Sequence, residues 1–261
     1  MAKFNLKLFK DKARNIRIQV LDEIYRTRKG HIGGTFSCVE ILTMLYYGSF
    51  INPKKTASKF ILSKGHACLA LYSIFLDLGI ISLKKFKTYG DDGGLGGQLD
   101  VTLPGVDFNT GSLGHSVGVA SGMALGLKKQ KVFTLIGDSE LFEGSVWEAI
   151  IFAGDNLINN LICIVDRNKF TVTEELKDNS IYKSFSKKLE LMNWDCIEID
   201  GHNFAQISQA LKRASVSKKP MMIIANTIKG KGVSFMENGI GWYTQSPTLD
   251  EFTKAREELS A

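Results

Sequence analysis

Cysteine, proline and histidine are all scarce in this sequence, with four of each among 261 residues. The cysteines, Cys38, Cys68, Cys163 and Cys196, lie far apart and form no CxxC pair. That argues against a zinc site or a disulfide framework and for buried free thiols. No proline- or serine-rich stretch marks a linker and no internal repeat is visible, so a single domain over residues 1–261 is the simplest reading. No apolar run approaches the length of a membrane span. The N-terminal stretch MAKFNLKLFKDKARN is basic but has neither a continuous apolar segment nor a cleavage site, which argues against a signal peptide and for the cytoplasm. The net charge of +6 comes from dispersed lysines without a nucleic-acid motif, and a phosphate-bearing ligand explains the surplus as well as nucleic acid does.

What is present is an alternation. Four apolar runs read as buried strands: KVFTLIGD (131–138), NLICIVDRN (160–168), WDCIEIDG (194–201) and PMMIIANT (220–227), with an earlier one at KFILS (59–63). Helical patterns separate them, at about 10–28, 36–48, 66–78, 114–129, 141–156 and 203–214. This spacing predicts βαβ units: an α/β fold with a mainly parallel sheet and helices on both faces. The glycine-rich stretch GDDGGLGGQLDVTLPGVDFNTGSLG (90–114) lacks periodicity, and is either a functional loop or a flexible one.

Open parallel sheets bind ligands at the carboxyl ends of their strands, where Asp138 and Asn168 both stand. If their strands are neighbours, a carboxylate and an amide oxygen meet in one crevice, a ligand pair suited to a hard cation carrying phosphate. A helix starting near Leu141 would aim its first amides at the same place. Equally, Asp138 could cap that helix while Asn168 makes a turn. All four histidines sit beside glycine, in KGHIGG, SKGHA, SLGHS and DGHN. His202 reads as structural, while His31, His66 and His115 suggest a convergent phosphate-binding site.

The segments KGHIGGTFSCVEILTMLYYG, ILSKGHACLALYSIFLDLG, LPGVDFNTGSLGHSVGVASGMALG, IGDSELFEGSVWEA, VDRNKFTV and ANTIKGKGVSFMEN, taken in order, resemble the N-terminal half of transketolase over about residues 12–245. The resemblance implies the thiamine-diphosphate-binding fold, with thiamine diphosphate and Mg2+ (or Ca2+ or Mn2+) as cofactors. In the family's motif GDG is followed about thirty residues later by Asn; here Gly137-Asp138-Ser139 is followed by Asn168. By the same resemblance, Asp138, Asn168 and the Phe170 carbonyl hold the cation, and the Ser139 amide, His66 and Lys229 hold the diphosphate. Gly111, Ser112 and Leu113 would meet the aminopyrimidine, Glu143 belongs to a carboxylate network across the dimer, and His31 faces the substrate.

Full-length transketolases continue into a pyrimidine-binding domain that carries the cofactor-activating glutamate. In split forms of the family that half is a separate polypeptide, so the resemblance implies a heterotetramer built with a partner subunit, or else a piece cut from a longer chain. Three positions depart from the family pattern. Ser139 replaces the second glycine of GDG, where a Cβ restricts φ. Gln98 and Tyr243 stand where the family has histidines that bind donor hydroxyls; neither shuttles a proton readily at neutral pH. The implied enzyme is a transketolase-like transferase with a specialised substrate, a sugar phosphate or a ketoacid. The alternatives are a decarboxylating subunit for a 2-ketoacid and a non-catalytic, cofactor-binding one.

Overall fold

In the computed structural model, residues 4–53, 58–172, 174–176 and 181–261 are described. The sheet contains β1 (Ser58–Leu62), β2 (Lys131–Gly137), β3 (Leu161–Arg167), β4 (Asp195–Asp200) and β5 (Met221–Asn226), in the order β1-β2-β3-β5-β4, every pairing parallel. All five strands fall where the apolar runs predict them. The reason is visible in the two cores. Phe133 and Leu135, Ile162 and Ile164, and Met221 and Ile223 point into one; Val132 and Ile136, Cys163 and Val165, and Met222 and Ile224 point into the other. A strand buried on both faces cannot alternate apolar with polar, so its sequence reads as an unbroken apolar run.

The helices are α1 (Leu6–Thr27), α2 (Ile32–Ser37), α3 (Val39–Tyr47), α4 (Cys68–Asp77), α5 (Leu83–Phe86), α6 (Ser116–Gly126), α7 (Gly144–Asp155), α8 (Phe185–Leu191), α9 (Phe204–Val216) and α10 (Leu249–Ser260). Helices α6, α7 and α8 pack on one face of the sheet and α1, α3, α4 and α9 on the other. The helix expected over 36–48 is two helices, broken at Cys38, where the backbone turns to φ −104° and ψ 9°. The helix expected from Leu141 begins instead as a 3₁₀ turn, Asp138–Phe142, and becomes α-helical at Gly144. The four cysteines are unpaired, three of them buried. Among the described residues no helix is long and apolar enough to cross a membrane.

Candidate active site

Four adjacent strands end on the same edge of the sheet and hand over to loops that carry chemistry. After β1 come Ser63, Lys64, Gly65 and His66; after β2, Asp138; after β3, Asn168; after β5, Thr227 and Lys229. The register places Gly137 beside Asp166 and Arg167 beside Asn226, so the loops begin at nearly the same height. A cleft of about 60 Å³ there is lined by Lys64, His66, Leu113, Gly137, Asp138, Ser139, Asn168, Phe170, Lys229 and Tyr243.

Asp138 is buried and stays in place through two amides: Oδ1 accepts from Ser139 N at 2.9 Å and Oδ2 from Lys169 N at 2.6 Å. Asn168, also buried, accepts from Phe170 N through Oδ1 at 3.1 Å. Between them Lys169 takes a left-handed φ of 67°, a strained turn that keeps both side chains at the strand ends. Burial, with the Asp166 carboxylate nearby, pushes the Asp138 carboxyl up to about 7, although the Lys169 amide and the Lys64 ammonium pull the other way. An ionised carboxylate disfavoured by burial is relieved by a bound cation. Of the two readings open for Asp138, the cap is not made by its side chain to a helix: the 3₁₀ turn is closed by Glu140, whose Oε2 accepts from Gly137 N at 2.9 Å.

Around this pair stand the groups suited to an anion. Lys229 is only 2% exposed; its ammonium reaches the Thr171 carbonyl at 3.3 Å and lies 5.4 and 5.6 Å from the Phe170 and Tyr243 rings. The His31 and His66 rings are 5.5 Å apart, and the Tyr243 ring lies 4.8 Å from His31 and 6.0 Å from His66. His31 Nδ1 is buried with no hydrogen-bond partner among the described residues. Such an atom is where a ligand would complete the bonding. Burial, and then the neighbouring Lys64, His31 and Lys229 charges, hold His66 well below the usual histidine range, so it is a neutral imidazole at physiological pH. Gly34 makes this crowding possible: a Cβ there would stand 2.9 Å from His66 Nε2. The buried polar groups and the oxygen donors at Asp138 and Asn168 fit a diphosphate with its cation.

Not every expected residue reaches the cleft. His115 is exposed at the N-terminal end of α6 and takes no part in the cleft wall, so two histidines converge and not three. Gly111, Ser112 and Glu143 are exposed and stand outside the wall, Glu143 beside Gly114. Gln98 rests its side chain against Gly65 and Gly111. Ser139 lies in the 3₁₀ turn and is absent from the positive-φ residues, so the loss of a glycine there carries no backbone strain. His202 is structural: Nε2 accepts from Ile228 N and Nδ1 meets Glu40, each at 2.9 Å.

The sequence motifs pass over four groups. Glu140 receives Ser63 Oγ at 2.5 Å and the amides of Gly137 and Gly114, fastening the glycine-rich loop to the strand ends. Its bond back to the Gly137 amide is the glutamate half of a capping box, without the hydroxyl half that a glycine cannot supply. Tyr182 donates to the Asp138 carbonyl at 2.8 Å. Lys64 and Asp166 form a buried ion pair beneath the cleft. A larger cleft, about 570 Å³, touches Arg17, Glu40 and His202, but there the buried charges already pair with one another, Arg17 with Glu40 at 2.7 Å.

Residues 9–260 match the family described as transketolase, thiamine diphosphate binding domain. The chain is 34% identical over 255 residues to one subunit of the apulose-4-phosphate transketolase of Phocaeicola vulgatus, covering 94% of this chain and 91% of that one. It is 34% identical over 256 residues to a 6-deoxy-6-sulfo-D-fructose transketolase subunit of a Clostridium species, covering 94% and 93%. The crystal structure of Campylobacter jejuni transketolase superposes with a TM-score of 0.91 at 28% identity over 98% of this chain, which spans 43% of that longer polypeptide. With its strand-end cleft and these likenesses, the chain belongs to the transketolase family, in the thiamine-diphosphate-binding domain.

Proposed function

We propose that this chain is the cofactor-binding subunit of a two-subunit, cytoplasmic transketolase that acts on a specialised sugar phosphate. The observation that carries the reading is the convergence of Asp138, Asn168, Lys229 and His66 on one cleft at the sheet's carboxyl edge. Asp138, Asn168 and the Phe170 carbonyl would hold Mg2+, while Lys229, His66 and the Ser139 amide would hold the diphosphate. Thiamine diphosphate, when bound, supplies the electron sink for breaking a C–C bond next to a carbonyl. The protein's part is positioning and charge. Lys229 offsets diphosphate charge, and His66 accepts or donates one hydrogen bond without adding charge. His31, with its free nitrogen, faces the substrate side, and the Gly111–Leu113 backbone borders the aminopyrimidine.

Two features support a partner. The relatives that share 34% identity with this chain are themselves named as transketolase subunits. Phe142, Ile151 and Phe152 are each about half exposed beside or on α7, and Gly122 and Gly126 leave one face of α6 bare. A pyrimidine-binding subunit would supply the activating glutamate, and Glu143, exposed here, would join a carboxylate network across a heterotetramer. The relatives' names favour a ketose over a ketoacid, and Gln98 and Tyr243 favour an unusual one.

The test is reconstitution. The chain alone, with thiamine diphosphate and Mg2+, should cleave no ketose; mixed with its pyrimidine-domain subunit it should cleave a modified ketose phosphate faster than xylulose 5-phosphate. Robust turnover by the isolated chain, or a preference for a 2-ketoacid with release of carbon dioxide, would count against the proposal.

A further inference from the structure

We infer that the buried Lys64–Asp166 ion pair is a positioning device that fixes which face of the Asn168 amide is turned toward the cation. The inference rests on the proposed cation site and concerns groups that lie behind it.

Lys64 is 2% exposed and Asp166 is fully buried. The Lys64 ammonium bonds Asp166 Oδ2, the Gly34 carbonyl at 2.8 Å and Ser37 Oγ at 3.3 Å. Ser37 Oγ lies 2.6 Å from the same Oδ2, and Thr227 Oγ1 bonds Oδ1. The carboxylate is thus anchored from β1, α2 and β5 at once. Its remaining contact is forward, to Asn168 Nδ2 at 3.4 Å. An ionised carboxylate accepts hydrogen bonds and donates none, so it can face only the NH2 end of an amide. Asn168 must then turn its carbonyl oxygen the other way, where Phe170 N already meets it. That oxygen is the end able to ligate a cation; the NH2 end is not. Groups behind a ligand that set its orientation commonly change metal affinity by about 10–100-fold when removed.

A buried pair this costly to desolvate needs some compensating return, and here it is a single amide orientation.

The experiment measures Mn2+ affinity of the full chain by electron paramagnetic resonance, with thiamine diphosphate present, in a double-mutant cycle. Asn168→Ala and Lys64→Met should each weaken Mn2+ binding by about tenfold or more. Because Lys64 acts through Asn168, the double variant should be no weaker than Asn168→Ala alone, whereas a general loss of charge or of packing would add to it. Asp166→Asn, which can offer either a donor or an acceptor to Asn168, should also weaken Mn2+ by about tenfold and decides the matter if Lys64→Met does not fold. Unchanged Mn2+ affinity in Lys64→Met or in a folded Asp166→Asn, or additive losses in the cycle, would overturn the inference. Unchanged affinity in Asn168→Ala would instead overturn the cation site itself.

Discussion

Tyr243 sits with its ring against His31 and His66 and over the Lys229 ammonium, at the wall of the cleft. Burial raises its phenol above the usual tyrosine range, against the Lys64 charge, so it stays protonated at neutral pH, a neutral hydroxyl that can donate or accept a hydrogen bond but takes up no proton readily. Gln98, packed on Gly65 and Gly111, is likewise no proton carrier. Replacing both by histidine should raise kcat/KM of the reconstituted enzyme for xylulose 5-phosphate by on the order of tenfold; no change would mean these side chains do not set the preference. A different residue carries a pH prediction. Glu40 is buried, which works to raise its pKa, but the Arg17 charge and the His202 hydrogen bond win and hold it at about 2 against an ordinary 4.5. A depressed carboxyl contributes stability that is complete above 4.5 and is lost as pH falls toward 2. The contribution is about 3 kcal/mol, and Glu40→Gln should lose that much of the acid-side slope in denaturant unfolding followed across this range. At this scale the sequence is legible where strand ends are: Asp138 and Asn168 declare themselves by position. Lys64 and Asp166 do not, because their pairing spans 102 residues and nothing in the segments that contain them shows that they meet.

At the scale of elements, burial decides what can be read. The central strands β2, β3 and β5 are buried on both faces, and each appears in the sequence as an apolar run. Helix α8 has only seven residues, too short to establish a period, with Phe185 and Leu189 as its buried pair. Helix α10 buries only Ala255 and Leu259, so its apolar stripe is thin, yet Thr248 and Glu251 form a full capping box that marks its start. Thr248→Ala should lower stability by about 1 kcal/mol, measured by denaturant unfolding; a change within error would mean the box contributes nothing in solution. The glycine-rich loop is ordered through Gly114, which has a φ of 84° and donates to Glu140 at 3.1 Å. A Cβ at Gly114 would fall 2.5 Å from Ser145 Oγ and 2.8 Å from Glu143 Cβ. Gly114→Ala should therefore destabilise the protein by about 1–3 kcal/mol and loosen thiamine diphosphate binding, since Gly111–Leu113 are displaced with it. Full stability in this variant would show the loop to be independent of the site.

For the whole molecule, the sheet order and the β2–β3 register bring together residues that the linear sequence scatters from His31 to Tyr243. At the centre of that convergence, Asp138 would carry a cation that bridges to the diphosphate. Titrating thiamine diphosphate into the chain with its partner, with and without Mg2+, and into the Asp138→Ala variant tests this most directly. Wild-type binding should depend on Mg2+, and Asp138→Ala should abolish that dependence and bind at least about tenfold more weakly while its far-UV circular dichroism stays unchanged. Mg2+-dependent binding of wild-type strength in a folded Asp138→Ala protein would contradict the account.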